Sequence, residues 1–216
     1  MHIVLASKSP ARKRLLEKMG LEFSVLETNT NERSFKAKSP SYLVQKITLA
    51  KAKSAFNIIV GARRDSPDPV IVITADSIVY LPKLRKKGQF LRHYPFGPVF
   101  GKAKNKAEAV KILNTLSNVT HRLYTGLCVA KINPGDKELK EYVLTYEKAS
   151  VSFKKLSEEE INRYVNSESS VSFAGSYTIE RHSNSSSFIQ SYKGDINTII
   201  GLPTEKLKKI LLSFLN

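Results

Sequence analysis

The sequence predicts an α/β fold, and three stretches carry that prediction. Ile3-Val4-Leu5 is a short apolar strand that runs through a turn at Ser7–Ser9 into a helix beginning at Pro10. Val70-Ile71-Val72-Ile73 is a continuous β-branched run, the pattern of a strand buried on both faces in the middle of a sheet. His121–Ile132 and Lys140–Phe153 are long strand-like runs joined by Asn133-Pro134-Gly135-Asp136, whose turn chemistry indicates an antiparallel hairpin.

In the first unit, Ser9 suits the N-cap and Pro10 the first helical position, where its missing N–H costs nothing. Leu15, Leu16 and Met19 give the helix an apolar side, and Gly20 is placed to end it. The helix start carries serine hydroxyls, Lys8, Arg12, Lys13 and Arg14, so free N–H groups and fixed cations favour an anion there. A solvated basic helix start would look the same. Phe23 and Val25 alternate with polar neighbours as a second strand, and the polar loop Glu27–Lys38 holds the isolated acid Glu32. Ser39-Pro40 repeats the cap-plus-proline start, opening a helix with Leu43, Ile47, Ala50 and Ser54 along one side and Lys46 and Lys51 beside that stripe. Gly61–Pro69 reads as a surface loop.

Thr74-Ala75-Asp76-Ser77 follows the β-branched run at once, which puts Asp76 at the end of a buried central strand, where α/β proteins bind ligands. Asp76 could instead cap a turn. The functional reading is preferred because Ile78–Leu81 resumes the apolar pattern, and an acid between two apolar runs is costly without a task or a partner. Pro82–Phe100 reads as a basic surface insertion. Its interleaved basic and aromatic residues could bind single-stranded nucleic acid, but a solvated loop is preferred. Asn105 with Glu108, and Ser157 with Glu160, are capping boxes that open helices. The first of these helices turns Ala109, Ile112, Leu113 and Leu116 inward, and the second Ile161, Tyr164 and Val165. Ala174-Gly175-Ser176-Tyr177 needs close backbone approach at its glycine, and Ser183–Ser187 reads as a flexible polar loop. Gly194-Asp195 marks a turn, Thr198–Ile200 a short strand, and Gly201-Leu202-Pro203 opens the last helix, with Leu207, Ile210, Leu211 and Phe214 inward.

A chain of 216 residues supports one substantial domain, with room for two lobes. Its 35 basic and 19 acidic residues leave +16, which implies an anionic partner: nucleotide, nucleic acid or membrane surface. Cys128 is the lone cysteine, which excludes an intramolecular disulfide, and its apolar neighbours mark it as a buried strand residue rather than a nucleophile. No apolar run reaches transmembrane length, and a strand begins almost at the first residue, so a cytoplasmic enzyme without a signal peptide is expected.

Taken in order, these stretches resemble the Maf family, the septum-formation-inhibitor-like nucleoside triphosphate pyrophosphatases. The matching residues are Leu5–Pro10 with Arg12, Glu32, Ala50-Lys51-Ala52, Ala75–Val79, Gly101-Lys102, Leu116-Ser117 with His121, and Tyr124-Thr125-Gly126. Ala174–Tyr177 with Glu180, Gly194-Asp195 and Gly201-Leu202-Pro203 complete the set, so the resemblance covers essentially the whole chain. Each motif alone is weak, whereas their order and spacing are specific. The resemblance implies an elongated two-lobed, mixed-sheet α/β fold of the Maf/ITPase-like kind around a central cleft, as a single domain over residues 1–216 and often a homodimer. It also implies hydrolysis of a nucleoside triphosphate to the monophosphate and pyrophosphate, with a divalent cation, Mg²⁺ or Mn²⁺.

In that reading Asp76 occupies the proton-acceptor position, and Glu32 with Asp76 supplies carboxylates to the metal. Arg12, Lys51 and Lys102 meet charge on the phosphates, and Ser7 with the helix N-terminus holds the polyphosphate. Asp195 is either a further carboxylate or the holder of its turn. Three substrate-facing positions depart from the thymidine and uridine triphosphate hydrolases: Ala11 for arginine, Ser77 for threonine, Glu180 for glutamine. An ionised glutamate only accepts hydrogen bonds, so Glu180 suits a base rich in N–H donors, such as guanine or 7-methylguanine, and thymidine triphosphate is expected to be poor. Ala103 replaces the proline that usually follows Gly-Lys. The competing readings are a nucleic-acid-binding module and a catalytically impaired regulator of cell division. A pure nucleic-acid groove has little use for Glu32 and Asp76, and retention of both with two lysines argues against lost activity.

Overall fold

The computed structural model describes residues 2–62, 68–82, 92–133, 135–167, 170–180 and 187–215. Eight strands form one mixed sheet in the order β2-β1-β3-β6-β7-β8, with β4 and β5 attached beyond the end of β1 on the same side of β3. The strands are β1 His2–Leu5, β2 Ser24–Val25, β3 Val70–Tyr80, β4 Arg92–Tyr94, β5 Gly97–Phe100, β6 Thr120–Ile132, β7 Glu141–Phe153 and β8 Ile189–Lys193. The helices are α1 Pro10–Lys18, α2 Pro40–Ala62, α3 Lys106–Leu116, α4 Glu158–Ser167, α5 Ile196–Ile200 and α6 Thr204–Leu215. Parallel pairing joins β1 to β2 and β3, and the remaining ladders are antiparallel.

β3 is the axis of the molecule. It does not end at Ile73 as the sequence suggested: it continues to Tyr80, because β6 pairs with it from Val70↔Ile132 to Tyr80↔Arg122. What ends is its neighbour on the other side. β1 stops at Leu5 opposite Ile73, and β5 takes up that edge only at Val79↔Phe100. Between the two, among the described residues, the backbone around Asp76 has no strand on that edge, which creates the opening expected at a strand end.

Alternation along β3 then places the core. Ile71, Ile73 and Ala75 pack with Leu15 and Leu16 of α1 and Leu207 and Leu211 of α6. Farther along the same face, Val79 joins Leu113 and Leu116 of α3 and Ile161 and Tyr164 of α4. Ser77 falls between these two clusters. On the opposite face α2 runs the length of β3. Ala55, Phe56 and Ile59 pack with Val70 and Val72, and Leu43, Val44 and Ile47 pack with Ile78. The buried stripe of α2 is turned from the one expected. Leu43 and Ile47 are in it, but so are Val44, Thr48, Lys51 and Ala55, while Ala50 and Ser54 are half-buried.

Several local expectations hold. Ser9 caps α1, and Gly20 adopts φ +71° just beyond its end. Asn105 Oδ1 accepts from the Glu108 N–H, and Ser157 and Glu160 cap each other reciprocally. Cys128 is buried, and burial pushes its thiol up to about 12. Other expectations need correction. Thr198–Ile200 is helical, not a strand, because Asp195 caps three donors of that turn: the N–H groups of Asn197 and Thr198 and the Thr198 hydroxyl. Pro82–Phe100 is not all surface loop. β4 and β5 form a hairpin on β3, with Val99 and Phe100 buried in the core. The basic stretch 83–91 and most of the 183–187 loop lie outside the described residues.

Two positions generate tests. A Cβ on Gly126 would lie 2.5 Å from Thr48 Oγ1 and 2.7 Å from the Val44 carbonyl, so this glycine lets α2 rest directly on β6. Gly126→Ala is expected to cost about 1–3 kcal/mol in urea unfolding and to displace α2 from the sheet. His121 is fully buried, donates to or accepts from the Tyr177 hydroxyl at 2.7 Å, and burial lowers its imidazole to about 4. The folded state therefore favours the neutral ring, and that stability is complete above pH 6.5. It should be lost as pH falls from about 6.5 to about 4, by roughly 3 kcal/mol. Unfolding free energies of wild type and His121→Gln across this range should differ by that slope.

Candidate active site

The opening beside β3 is a cleft, and its floor is a three-residue charge cluster. Lys51 projects from the middle of α2 and donates to Asp76 Oδ1 at 2.7 Å. The same ammonium lies 2.6 Å from Glu32 Oε1. Glu32 sits in a single 3-10 turn, Glu32–Ser34, capped by Asn31, which draws the long polar loop over the cleft. Asp76 is 5% exposed, so its charge is tolerable only because Lys51 meets it.

Arg12 enters from the first turn of α1 and is also buried. Its Nε donates to the Gly201 carbonyl at 2.8 Å, Nη1 to Ser7 Oγ at 3.2 Å and Nη2 to Ser77 Oγ at 3.3 Å. Ser77 Oγ lies 3.0 Å from Thr125 Oγ1, and Thr125 donates its one proton to the Thr198 carbonyl at 2.9 Å. The direction of the chain is thereby fixed: Ser77 donates to Thr125 and accepts from Arg12.

Lys102, at the end of the β5 segment, completes the cluster. An antiparallel bridge to Ala174 holds its backbone, and its carbonyl accepts from Arg33. Its ammonium forms no hydrogen bond or ion pair with another described residue. Burial, and then the charge of Arg12, lower its affinity for a proton. The two carboxyls are pushed apart. Burial is the largest influence on Asp76 and lifts it above the usual range; Lys51 and Arg12 pull back, and Glu32 adds to the rise. Burial also opposes ionisation of Glu32, but Lys51 and then Lys102 outweigh it, so Glu32 sits below the usual range.

Two arms extend from this floor. One is polar, lined by Ser7, Lys8, Ser9, Thr28 and Thr30. The other is lined by Ala11, Leu123, Phe173, Tyr177, Thr178 and Ile199. Arg12, Glu32, Lys51 and Lys102 border both. The structure thus brings together Ser7, Ala11, Arg12, Glu32, Lys51, Asp76, Ser77 and Lys102. It places Glu180 elsewhere: its carboxylate is held by Arg14. Asp195 holds its turn. Sequence reading missed Thr28 and Thr30, which lie in a loop without periodicity, and, of the second arm, Leu123, Phe173, Thr178 and Ile199, to which it gave no site role.

Glu32 and Asp76 converge on one cationic atom, Lys51 Nζ, which marks a point where a cation is held. Two carboxylates suit Mg²⁺ or Mn²⁺ taking its other ligands from water and phosphate. Among the described residues no group of three or more His, Cys, Asp or Glu forms a closed cage.

Fold and cleft together define an α/β protein whose cleft sets Arg12, Lys51 and Lys102 beside paired carboxylates. The chain belongs to the Maf family: the family model described as "Maf-like protein" matches residues 2–214. A relative from Bacillus anthracis named "dTTP/UTP pyrophosphatase" is 36% identical over 213 residues, covering 98% of this chain and 95% of its own. One of the same name from Thermoanaerobacter sp. is 34% identical over 211 residues, again covering 98% and 95%. A solved nucleoside-triphosphatase, dITP/XTP pyrophosphatase, from Mycobacterium abscessus covers 100% of this chain and 98% of its own, at 14% identity and a TM-score of 0.41, too remote a likeness to carry an argument.

Removing the shared ammonium leaves two carboxyls facing each other around a buried position. Lys51→Met is therefore expected to lower stability by about 3 kcal/mol, the cost of an unpaired buried charge relieved in part by protonation of Asp76. Chemical denaturation of Lys51→Met against Lys51→Met/Asp76→Asn checks the cause, because the second change should restore part of the loss.

Proposed function

We propose that this protein hydrolyses nucleoside triphosphates to the monophosphate and pyrophosphate, with Asp76 as general base. The observation that carries the reading is Asp76 itself: a buried carboxyl, raised in pKa, held by Lys51 and bordered by Lys102 and Arg12 in a cleft with one polar and one largely apolar arm. The polar arm suits the phosphates, and the apolar arm a nucleoside. The divergence of the two carboxyls supports separate roles, with Glu32 remaining ionised and Asp76 nearer to a proton acceptor. Family membership and the names of the two relatives support the same reaction class.

In this mechanism Asp76 orients a water and takes its proton as the water oxygen bonds to the α-phosphorus. The bond from that phosphorus to the oxygen bridging the α- and β-phosphates breaks, and the electron pair leaves with pyrophosphate. Lys102, whose ammonium is unpaired among the described residues, binds the departing phosphates with Ser7, Ser9 and the α1 N-terminus. Arg12, pinned to the Gly201 carbonyl, retains N–H groups for the same oxygens. Glu32 and Asp76 would hold Mg²⁺ or Mn²⁺, which supplies Lewis-acid polarisation of the phosphates.

The finer proposal, a guanine-type base read by Glu180, needs that carboxylate to be released from Arg14. 7-Methylguanosine triphosphate therefore belongs in the assay panel beside dTTP and UTP. Asp76→Asn is expected to reduce pyrophosphate release by about 10²–10⁴-fold while preserving the fold by circular dichroism and nucleotide binding by calorimetry. A folded Asp76→Asn protein that turns over at the wild-type rate would overturn the assignment.

A further inference from the structure

Arg14 stands three residues beyond Ala11 on α1, on the adjoining turn of the helix. Its guanidinium grips Glu180: Nη2 donates to Oε2 at 2.7 Å and to Oε1 at 2.9 Å, and Nε to Oε1 at 3.2 Å. The Glu180 side chain is 12% exposed and the Arg14 side chain 42%. A pair this open to water contributes little through charge alone, but the forked geometry fixes direction as well as distance.

What the pair joins gives it a role. Ser9, Ala11 and Arg12 at the start of α1 line one side of the cleft, and Ser172–Ala174 with Tyr177 and Thr178 line another. Glu180 is tied to the second wall: its N–H donates to Thr178 Oγ1 at 3.3 Å, and that hydroxyl donates to Glu180 Oε2 at the limiting distance of 3.5 Å. Other anchors of this segment lead away from α1. Gly175 N–H donates to the Gly101 carbonyl, Ala174 bridges Lys102, and Tyr177 meets His121. The Arg14–Glu180 pair fastens the segment to α1 across the apolar arm.

We propose that Arg14 is a positioning residue for the nucleoside arm, acting through Glu180 and Thr178: the pair is a latch that sets the separation of the two cleft walls. This rests on the reading of the cleft as a nucleotide site. Asp76 and Lys51 belong to β3 and α2 and do not depend on the latch, so breaking it loosens substrate binding without disabling the chemistry. The role also differs from that of a base acceptor, because the Glu180 oxygens are engaged by the protein itself.

The test compares wild type, Arg14→Ala, Arg14→Glu and the swap Arg14→Glu/Glu180→Arg. Steady-state kinetics with whichever of dTTP, UTP and 7-methylguanosine triphosphate wild type turns over are measured beside amide hydrogen exchange of residues 172–180 in nucleotide-free protein. Arg14→Ala and Arg14→Glu should raise KM by about 5–20-fold with kcat within about threefold, the signature of lost uniform binding. Exchange across residues 172–180 should accelerate by about fivefold or more, reporting local opening. The swap should return exchange to within about threefold of wild type. Unchanged exchange in Arg14→Ala, faster exchange with unchanged KM, or exchange in the swap as fast as in Arg14→Glu would each overturn the proposal. If wild type hydrolyses none of dTTP, UTP and 7-methylguanosine triphosphate, the functional reading fails, and exchange in Arg14→Ala and the swap still decides whether the latch exists.

Discussion

The structure depends on one ammonium group. Lys51 lies on the buried stripe of α2, where a lysine is among the least tolerable residues unless its charge is met. Meeting it requires Asp76 in the body of the sheet and Glu32 from the single 3-10 turn of the loop before α2. It also requires α2 to lie close against β6, which Gly126 permits, and in a fixed rotation, which the Thr74 hydroxyl secures by donating to the Thr48 carbonyl. The longest helix, the central strand and the most irregular loop are thus brought into register by a single side chain.

That arrangement leaves an uneven distribution of engagement. Lys51 is held between two carboxylates, and Arg12 spends three donors on neutral oxygens, so both are held stiffly. Lys102 is different, since its backbone is fixed by the bridge to Ala174 while, among the described residues, its ammonium is influenced only through space. Such a division suits a site that must hold its geometry and still offer a cation to an incoming anion.

The sequence revealed most of the residues and misplaced some of their surroundings. Capping boxes, glycine stops and long strands were legible because each is a local device of a few residues. The rotation of α2 was not, because hydropathy counts Thr48 and Lys51 as outward-facing, and only partners on other elements make them buried. Asp76 was read at a strand end because the β-branched run stops at Ile73, whereas the strand is prolonged by a ladder to β6, a distant part of the chain. Thr198–Ile200 shows the reverse: β-branched composition suggests a strand, and one capping aspartate decides for a helix. β8 went unseen because only Ile189 of its residues is even half-buried, leaving no alternation to read. Glu180 was recognised as a departure, but its partner Arg14 lies 166 positions away, beyond the reach of pattern reading.

The hydrogen bond from Arg12 to the Gly201 carbonyl spans 189 positions, nearly the whole chain. Closing a contact of that separation costs chain entropy, which the ordering of the intervening polypeptide offsets. As the chain emerges from a ribosome, β1 and α1 are made first and then wait, with a guanidinium that must be buried, for the α5–α6 junction to arrive. Until it does, Arg12 lacks one acceptor and Thr125 lacks the carbonyl that orients Ser77. A polypeptide interrupted before Gly201 would carry the sequence of every strand but lack the carbonyl that receives Arg12 and the Leu202, Leu207 and Leu211 side chains that cover the sheet beside the cleft.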